Sequence, residues 1–333
     1  MDIKLKSKFN YQITLILLSV ITIFFGAISF VYRAIGIITI PFIAALLSLL
    51  MCIERKRVSS ITVAAILLLA EVYIGLNDYF TLVTLTSILL AFLITYYFEK
   101  GKDKAECALF ATSLTALLMF IGTALYIVGK FDVYTIPEIV DCFLNIYDKF
   151  RVDAISEIYD MAIRAENTSE VFSIEYLNAF FDAYLDCTVA IICIFAFAIV
   201  GIAFKLFSLL VRNYTIEKDK IKAWSFIPSS VFGYFYFILA ILSMFTLDTT
   251  DALALSAINL YMIFMYVFAY FGYKFIDALF KRRGKSFTFI FIVMIVALST
   301  FAIQVLAVIG AYVSINYAGI SKKFGIHNNN PKG

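Results

Sequence analysis

Residues 11–32 read YQITLILLSVITIFFGAISFVY, an apolar run without a single charged side chain. A helix needs roughly 20 apolar residues to cross the hydrocarbon core of a bilayer. Residues 188–204, TVAIICIFAFAIVGIAF, form a second run of the same kind. Both runs are continuous rather than alternating, unlike the strands of an outer-membrane barrel. Because lipid offers backbone groups no hydrogen-bond partner, such runs predict transmembrane helices.

The composition of the whole chain agrees with a membrane protein. Of its 333 residues, 63% are hydrophobic and only 15% are charged, whereas soluble domains carry about 25% charged residues. So few charges cannot cover a water-exposed surface, which excludes a soluble enzyme, a disordered chain and a nucleic-acid-binding domain. Basic residues precede the first run, as in a signal peptide, but no small-residue cleavage site follows it, which favours a retained first span.

We predict an all-α fold, a polytopic transmembrane helical bundle of nine spans within a range of eight to ten. The predicted spans are residues 11–32, 34–53, 58–76, 79–98, 107–128, 184–210, 231–247, 252–273 and 286–317. The last stretch is long for one span, so the alternative is a break near Ser299 and Thr300 that makes it two. The chain thereby divides into transmembrane residues 1–128, a polar insertion at 129–183, transmembrane residues 184–317 and a polar tail at 318–333.

The distribution of charge predicts the orientation of the protein. Residues 130–186 hold twelve acids and four bases, while the rest of the chain holds twelve acids and 23 bases. Successive short loops alternate between three or four Lys and Arg residues and at most one. This alternation follows the positive-inside rule for a cytoplasmic N-terminus. We therefore predict a multi-pass protein of the cell membrane whose insertion lies outside.

The polar insertion has the sequence signature of two amphipathic helices. Thr135-Ile136-Pro137-Glu138 is a capping box with proline in the first turn. Apolar residues follow at helical spacing. A second helix start is predicted at residues 167–170. We expect the two apolar faces to pack on each other, on the outer ends of the spans or on the membrane interface.

The sequence lacks the motifs of common catalytic sites. Its single histidine, His327, lies in the polar tail, and it has no HExxH motif, no P-loop and no dinucleotide-binding glycine motif. We therefore expect no enzymatic activity, no cofactor, no metal and no ATPase activity of the chain's own. The five cysteines show no CxxC spacing. For Cys142 and Cys187, both expected outside, the alternatives are a disulfide and two separate packing residues.

Polar residues inside the spans are the candidate site, because polar groups are costly in lipid. They are Glu71 in the third span, Asn259 in the eighth and Gln304 in the last. Their alternative role is interhelical hydrogen bonding that only packs the helices. Glu71 falls in the outer third of the bilayer, and Arg33 is the only base in the neighbouring short outer loops. We predict a Glu71–Arg33 contact that either borders a substrate path or simply pins the helices.

Three places in the chain carry a resemblance to a known family. They are Arg55-Lys56-Arg57 after a proline-containing span, the loop from Arg212 through Trp224 to Pro228, and Gly310 followed by Lys322-Lys323. In these the chain resembles the YybS-like family of bacterial membrane proteins.

That resemblance implies a distant relation to the substrate-binding components of energy-coupling-factor vitamin transporters. It implies a helical bundle that holds a small molecule near its outer face, and a separate cytoplasmic ATPase or coupling module as partner. In that group an AxxxA motif in the first helix docks the coupling protein. The first span of this chain lacks the motif, whereas Ala44 and Ser48, and Ala252 and Ser256, have its spacing.

Two functional hypotheses follow from the sequence. The first is a small-molecule transport or substrate-binding component without its own ATPase, which would bind an unidentified ligand within the bundle. The alternative is a non-transporting membrane scaffold that organises partner proteins in envelope biogenesis or development. An intramembrane enzyme ranks third, because the chain lacks the motifs named above.

Overall fold

The computed structural model describes residues 11–31, 36–54, 57–74, 80–100, 104–165, 169–211, 230–245, 252–282 and 288–316. Within these ranges the structure is helical and contains no strand. Eleven α-helices follow one another: α1 (Tyr11–Val31), α2 (Gly36–Ile53), α3 (Val58–Ile74), α4 (Phe80–Lys100), α5 (Lys104–Phe131), α6 (Ile136–Arg164), α7 (Ile174–Asp186), α8 (Thr188–Val211), α9 (Ser230–Phe245), α10 (Ala252–Arg282) and α11 (Thr288–Ile315).

Six helical stretches are long and apolar enough to cross a membrane, as expected of a multi-pass helical membrane protein. They are Tyr11–Ser29, Gly36–Ile53, Leu82–Lys100, Cys107–Phe131, Thr188–Val211 and Leu253–Phe280. Three shorter apolar stretches coincide with the other predicted spans: Val58–Ala70, Ser230–Met244 and Phe301–Ile315.

Three boundaries differ from the sequence-based expectation. The alternative break near Ser299 and Thr300 is wrong, because α11 is one continuous helix through both residues. The sixth apolar helix begins at Thr188 rather than at residue 184, because the helix is interrupted at Cys187. The second helix of the polar insertion begins at Ile174, after a short 3₁₀ turn, rather than at residues 167–170.

The described chain forms two compact units. Unit 1 contains residues 1–181 and 195–225, and unit 2 contains residues 182–194 and 226–333. Cys142 and Cys187 are not joined by a disulfide in this structure.

The centre of unit 1 is α2, which packs against α1, α3 and α4. Its sequence, GIITIPFIAALLSLLMCI, is apolar on every side, and such a helix belongs inside a bundle. Small residues bring α2 and α4 close together. Ser48 Oγ donates to the carbonyls of Ala44, at 2.7 Å, and of Ala91 on α4, at 3.2 Å. Ala44 and Ser48 are both fully buried, so this AxxxA-like pair is used inside the chain.

The connection from α2 to α3 is held by two carboxylates. Glu54 Oε2 accepts the N–H of Ser59 at 2.6 Å, in the first turn of α3, where a negative charge stabilises the helix dipole. Arg57 has a positive φ of 54°. Its guanidinium reaches Glu99 near the end of α4, with Nη2 at 2.9 and 2.7 Å from the two carboxylate oxygens.

The predicted capping box at the start of α6 is confirmed. Thr135 accepts the Glu138 N–H, and Glu138 accepts the Thr135 N–H at 3.1 Å. The Thr135 N–H, followed by the Thr135 side chain and the Tyr134 N–H, hydrogen-bonds to the Glu138 carboxyl and lowers its pKa. Farther along, α6 packs on α7 through a small apolar cluster of Ile155, Leu177 and Phe181. The Tyr147 hydroxyl also donates to the Phe181 carbonyl.

Unit 2 is built on the pairing of α10 with α11, against which α9 also packs. Its core combines large aromatic side chains with small ones, since Tyr236 and Phe268 are buried beside Ala307 and Ala311. At the crossing, two glycines let the backbones touch. A Cβ on Gly272 would lie 1.9 Å from the Leu306 carbonyl oxygen, and one on Gly310 would lie 2.0 Å from the Phe268 carbonyl oxygen.

This crossing predicts that neither glycine tolerates even a methyl group. Gly272→Ala and Gly310→Ala should each destabilise unit 2 by about 1–3 kcal/mol or more, since the backbones must move apart. Gly201 in α8 is the control, because a Cβ there meets nothing within 4 Å. Gly201→Ala should stabilise the protein by up to about 1 kcal/mol. Thermal unfolding in detergent micelles measures both effects, and a Gly310→Ala protein as stable as the parent would refute the close contact.

Candidate functional site

Asn259 is the predicted site residue whose contacts the structure shows most fully. It lies on α10 and is 9% exposed. Its Oδ1 accepts the N–H of Ala190 at 2.8 Å. Its Nδ2 donates to the carbonyl of Asp186 at 2.7 Å and to that of Leu255, on its own helix, at 2.9 Å.

These contacts explain the interruption between α7 and α8. In an uninterrupted helix the Ala190 N–H would bond to the Asp186 carbonyl, four residues earlier. Here the Asn259 amide stands between the two groups and bonds to both, as when a side chain inserts into the helix ladder. Every polar atom of the Asn259 amide is therefore used within unit 2. Its role in this structure is to hold the helix break open and to tie α10 to it.

Gln304 has a different setting. It lies on an exposed face of α11, between Phe301, which is 65% exposed, and Val305, which is 36% exposed. The opposite face of the same turn carries the buried Ala302 and Leu306. Gln304 and Asn259 therefore do not share a buried polar site on the described faces of their helices.

The Glu71–Arg33 contact stays a prediction, because the described residues do not test it. The backbone of Glu71 is part of α3, but its side chain and the whole of Arg33 lie outside the described residues. The level of Glu71 in the bundle does follow from neighbouring contacts. Gly26 of α1 lies against Leu67 of α3, one turn before Glu71, and Phe25 stacks on Phe42 of α2 at 5.0 Å. The first contact aligns α1 with α3, and the second aligns α1 with α2. Extended by one helical turn toward Glu71, they place its backbone at the same height in the bundle as the start of α2.

A feature that the sequence analysis did not single out is the number of hydroxyl groups buried in unit 1. Among the described residues of unit 1, ten Ser and Thr residues are almost fully buried: Thr22, Ser29, Thr39, Ser48, Ser60, Thr84, Thr86, Ser87, Thr95 and Thr115. Most of these hydroxyls follow the usual pattern in apolar helices and donate to a carbonyl three or four residues earlier. Examples are Thr22 to Leu18 at 2.7 Å and Ser87 to Val83 at 2.7 Å.

Two threonines of α4 break this pattern. Thr84 and Thr86 are each 1% exposed. Neither Oγ1 atom has a hydrogen-bond partner in the part of the chain that the structure describes. A buried polar group without a partner costs about 1–3 kcal/mol. A hydroxyl left in that state inside an apolar bundle is a position where a polar ligand gains a hydrogen bond.

The register between α2 and α4 shows what lies beside Thr84. Ser48 bonds to Ala91, 43 positions later, and Thr95 Oγ1 lies 3.5 Å from the Ser48 carbonyl, 47 positions earlier. The same offset places Thr84 beside residues 37–41 of α2. Thr84 also precedes Ser87, Ala91 and Thr95 by three, seven and eleven positions, so it lies on the α4 stripe that faces α2.

Residues 37–41 of α2 include a break in the hydrogen-bond ladder. Pro41 has no N–H, so the Ile37 carbonyl loses its regular partner. Thr39, in the same turn, is buried and donates to the Gly36 carbonyl at 2.6 Å. We call Ile37, Thr39, Pro41 and Thr84 the Pro41 seam. It combines a carbonyl that lacks its regular partner with an unsatisfied hydroxyl, and the backbone of Glu71 reaches the same level.

No family model, curated protein or solved structure matches this chain. The likeness to the YybS-like family therefore stays a prediction from the residues quoted above.

The helix break predicts how Asn259 variants behave. Asn259→Leu removes both partners of the break at once, leaving the Ala190 N–H and the Asp186 carbonyl unsatisfied unless the helix straightens. We expect a loss of about 1–3 kcal/mol of stability. Gln304→Leu on the exposed face of α11 should not destabilise the protein, because it exchanges a polar side chain for an apolar one. Equal melting temperatures of the Asn259→Leu and Gln304→Leu proteins in detergent would count against this role of Asn259.

Proposed function

We propose that this protein is a multi-pass cell-membrane protein that binds a small molecule within unit 1. It would serve as a transport or substrate-binding component without ATPase activity of its own. The observation that carries the proposal is the Pro41 seam, where the unsatisfied hydroxyl of Thr84 faces a proline-interrupted stretch of α2.

The combination of an interrupted helix with an unsatisfied hydroxyl beside it supports this proposal. Membrane proteins tolerate interrupted backbone where neighbouring groups satisfy it or where it lines a cavity. Transporters place their substrate and ion sites at interrupted helices for this reason. An ionisable residue at the same level, as the backbone of Glu71 suggests, is the usual companion of a substrate path. In this proposal Glu71 and Arg33 border the path to the seam.

The proposal includes a nine-span topology with the N-terminus in the cytoplasm. Support comes from the alternation of Lys and Arg in the short loops. The start of α2 and the start of α4 then lie toward the outer surface, and so does the Pro41 seam. The helices α6 and α7 lie outside.

This topology is tested by single-cysteine labelling in a cysteine-free protein. Asp160→Cys, on α6, should react with a membrane-impermeant maleimide in intact cells. Lys100→Cys, at the end of α4, is the cytoplasmic control and should react only after lysis. The reverse pattern would overturn the orientation.

A coupling partner also belongs to the proposal. The resemblance to substrate-binding components of energy-coupling-factor transporters suggests a separate cytoplasmic ATPase or coupling module. Such a module would have to dock elsewhere than on Ala44 and Ser48, which are fully buried. Ser256, in the second pair with the same spacing, lies on an exposed position of α10. The scaffold hypothesis remains the alternative and predicts no ligand at the seam.

A variant without the Thr84 hydroxyl distinguishes a role in ligand binding from a role in packing. Thr84→Val keeps the shape of the side chain and removes its hydroxyl. If a ligand uses that hydroxyl, the variant should lose the co-purifying small molecule in native mass spectrometry. In the ligand-free state the variant should be as stable as the parent or more stable, because an unsatisfied polar group has been removed.

Thr22→Val is the matched control, since the Thr22 hydroxyl is buried and already bonded to the Leu18 carbonyl. It should keep the ligand. The same bound species at the same occupancy in parent, Thr84→Val and Thr22→Val would place the ligand elsewhere. A parent without any bound small molecule, in both gentle detergent and native nanodiscs, would favour the scaffold.

A further inference from the structure

The helix α6 changes its surroundings along its length. Its second half is held by α7, with Ile155 and Ala162 buried. Its first half has an apolar side that is largely exposed, and only at its far end do Tyr147 and Phe150 also touch Phe181 of α7. Four of its apolar side chains are exposed in the structure: Ile136 at 78%, Val140 at 48%, Leu144 at 38% and Phe150 at 60%.

These side chains form one continuous face. At 100° per residue, Ile136, Val140 and Leu144 follow one another around less than a quarter of the helix, and Phe150 lies on the other flank of Ile136. Phe143 and Tyr147, both half-buried, lie between them. We call these six residues the α6 apolar face. The opposite side of the same turns is polar and carries Glu138, Asp141, Asn145 and Asp148.

The chain on either side keeps this face near a membrane surface. The helix α5 contains an apolar span that ends at Phe131, and only residues 132–135 separate it from α6. Four residues reach at most about 14 Å. At the other end, Cys187 alone separates α7 from the apolar span that begins at Thr188. Both ends of the α6–α7 pair are therefore tied to apolar spans.

The last turn of α5 has the side chains of a membrane–water boundary. Lys130 Nζ lies 5.3 Å from the ring centroid of Tyr126 and 5.5 Å from that of Phe131, and it donates to the Tyr126 hydroxyl at 2.9 Å. Aromatic rings and lysines whose ammonium groups reach for water are typical of helix ends at this boundary. For an α5 that crosses the bilayer, these side chains favour a membrane surface about where α6 begins.

We propose that the first half of α6 lies in the plane of this membrane surface, with the α6 apolar face inserted at the boundary of headgroups and acyl chains. An amphipathic helix in this position buries its apolar side in lipid and keeps its charged side in water. The acids of α6 then stay on the aqueous side. The proposal requires only that α5 and α8 cross the bilayer, so it stands apart from any ligand at the Pro41 seam.

Tryptophan quenching by brominated lipid tests this proposal. The only tryptophan of the chain, Trp224, is replaced by Phe to give a dark background. Phe150→Trp and Val140→Trp then report from the α6 apolar face, and Asn145→Trp reports from the polar side of the same helix. Each full-length variant is reconstituted into phosphatidylcholine vesicles, with or without bromine near the top of the acyl chains.

We expect bromination to remove most of the emission of Phe150→Trp and Val140→Trp, whose spectra are shifted to the blue, while Asn145→Trp emits as before. Equal quenching of all three, or of none, would overturn the proposal. A third outcome would assign the α6 apolar face to a second copy of the chain instead. In that case the two reporters on the face are not quenched by brominated lipid, but their emission wavelength changes when the protein is diluted into excess lipid. Two reporters on the face keep the test valid if one variant fails to fold.

Discussion

The constraint on which this structure depends is that every backbone N–H and C=O inside a bilayer needs a partner. Continuous helices meet it by themselves, so the informative places are those where the ladder is interrupted. Two such places are described, Pro41 within the apolar helix α2 and the break at Cys187 immediately before the apolar span of α8. The two are resolved differently. At Cys187 the Asn259 amide supplies both missing partners, whereas beside the Pro41 turn the hydroxyl of Thr84 on α4 is left unsatisfied.

This difference separates a structural polar residue from a candidate binding residue. Asn259 is a polar side chain within an apolar helix, which first suggests a function. Every polar atom of its amide, however, is hydrogen-bonded to the backbone within unit 2. Thr84 is an inconspicuous residue by sequence, since threonine is common in membrane helices and usually bonds to its own backbone. Only the absence of that bond in the described structure distinguishes it from Thr22 or Ser87. In this chain the unsatisfied Thr84 is therefore a better candidate for a binding residue than the fully bonded Asn259.

The sequence was sufficient for features that depend on neighbouring residues. The apolar runs predict the helices, and the Thr135–Glu138 spacing predicts the capping box, because both are local. The break at Cys187 was out of reach, since its cause is Asn259, 69 residues from Ala190. The Pro41 seam needed the register of α2 against α4, which no single segment encodes. A partial signal was present in Thr84, Ser87, Ala91 and Thr95, a stripe of small and hydroxyl residues along one face of α4.

The contact between Gly272 and Gly310 also bears on how relatives of this chain can be found. Lipid-facing positions accept almost any apolar residue, so the bulk of such a sequence drifts without changing the fold. At the crossing of α10 and α11 no side chain fits at either position, and a chain that keeps this crossing has to keep both glycines. The fold therefore constrains both glycines, whereas the carbonyls they approach are backbone groups that any residue at 268 and 306 would supply. Distant homologues would be recognised by this spacing of two glycines on successive helices.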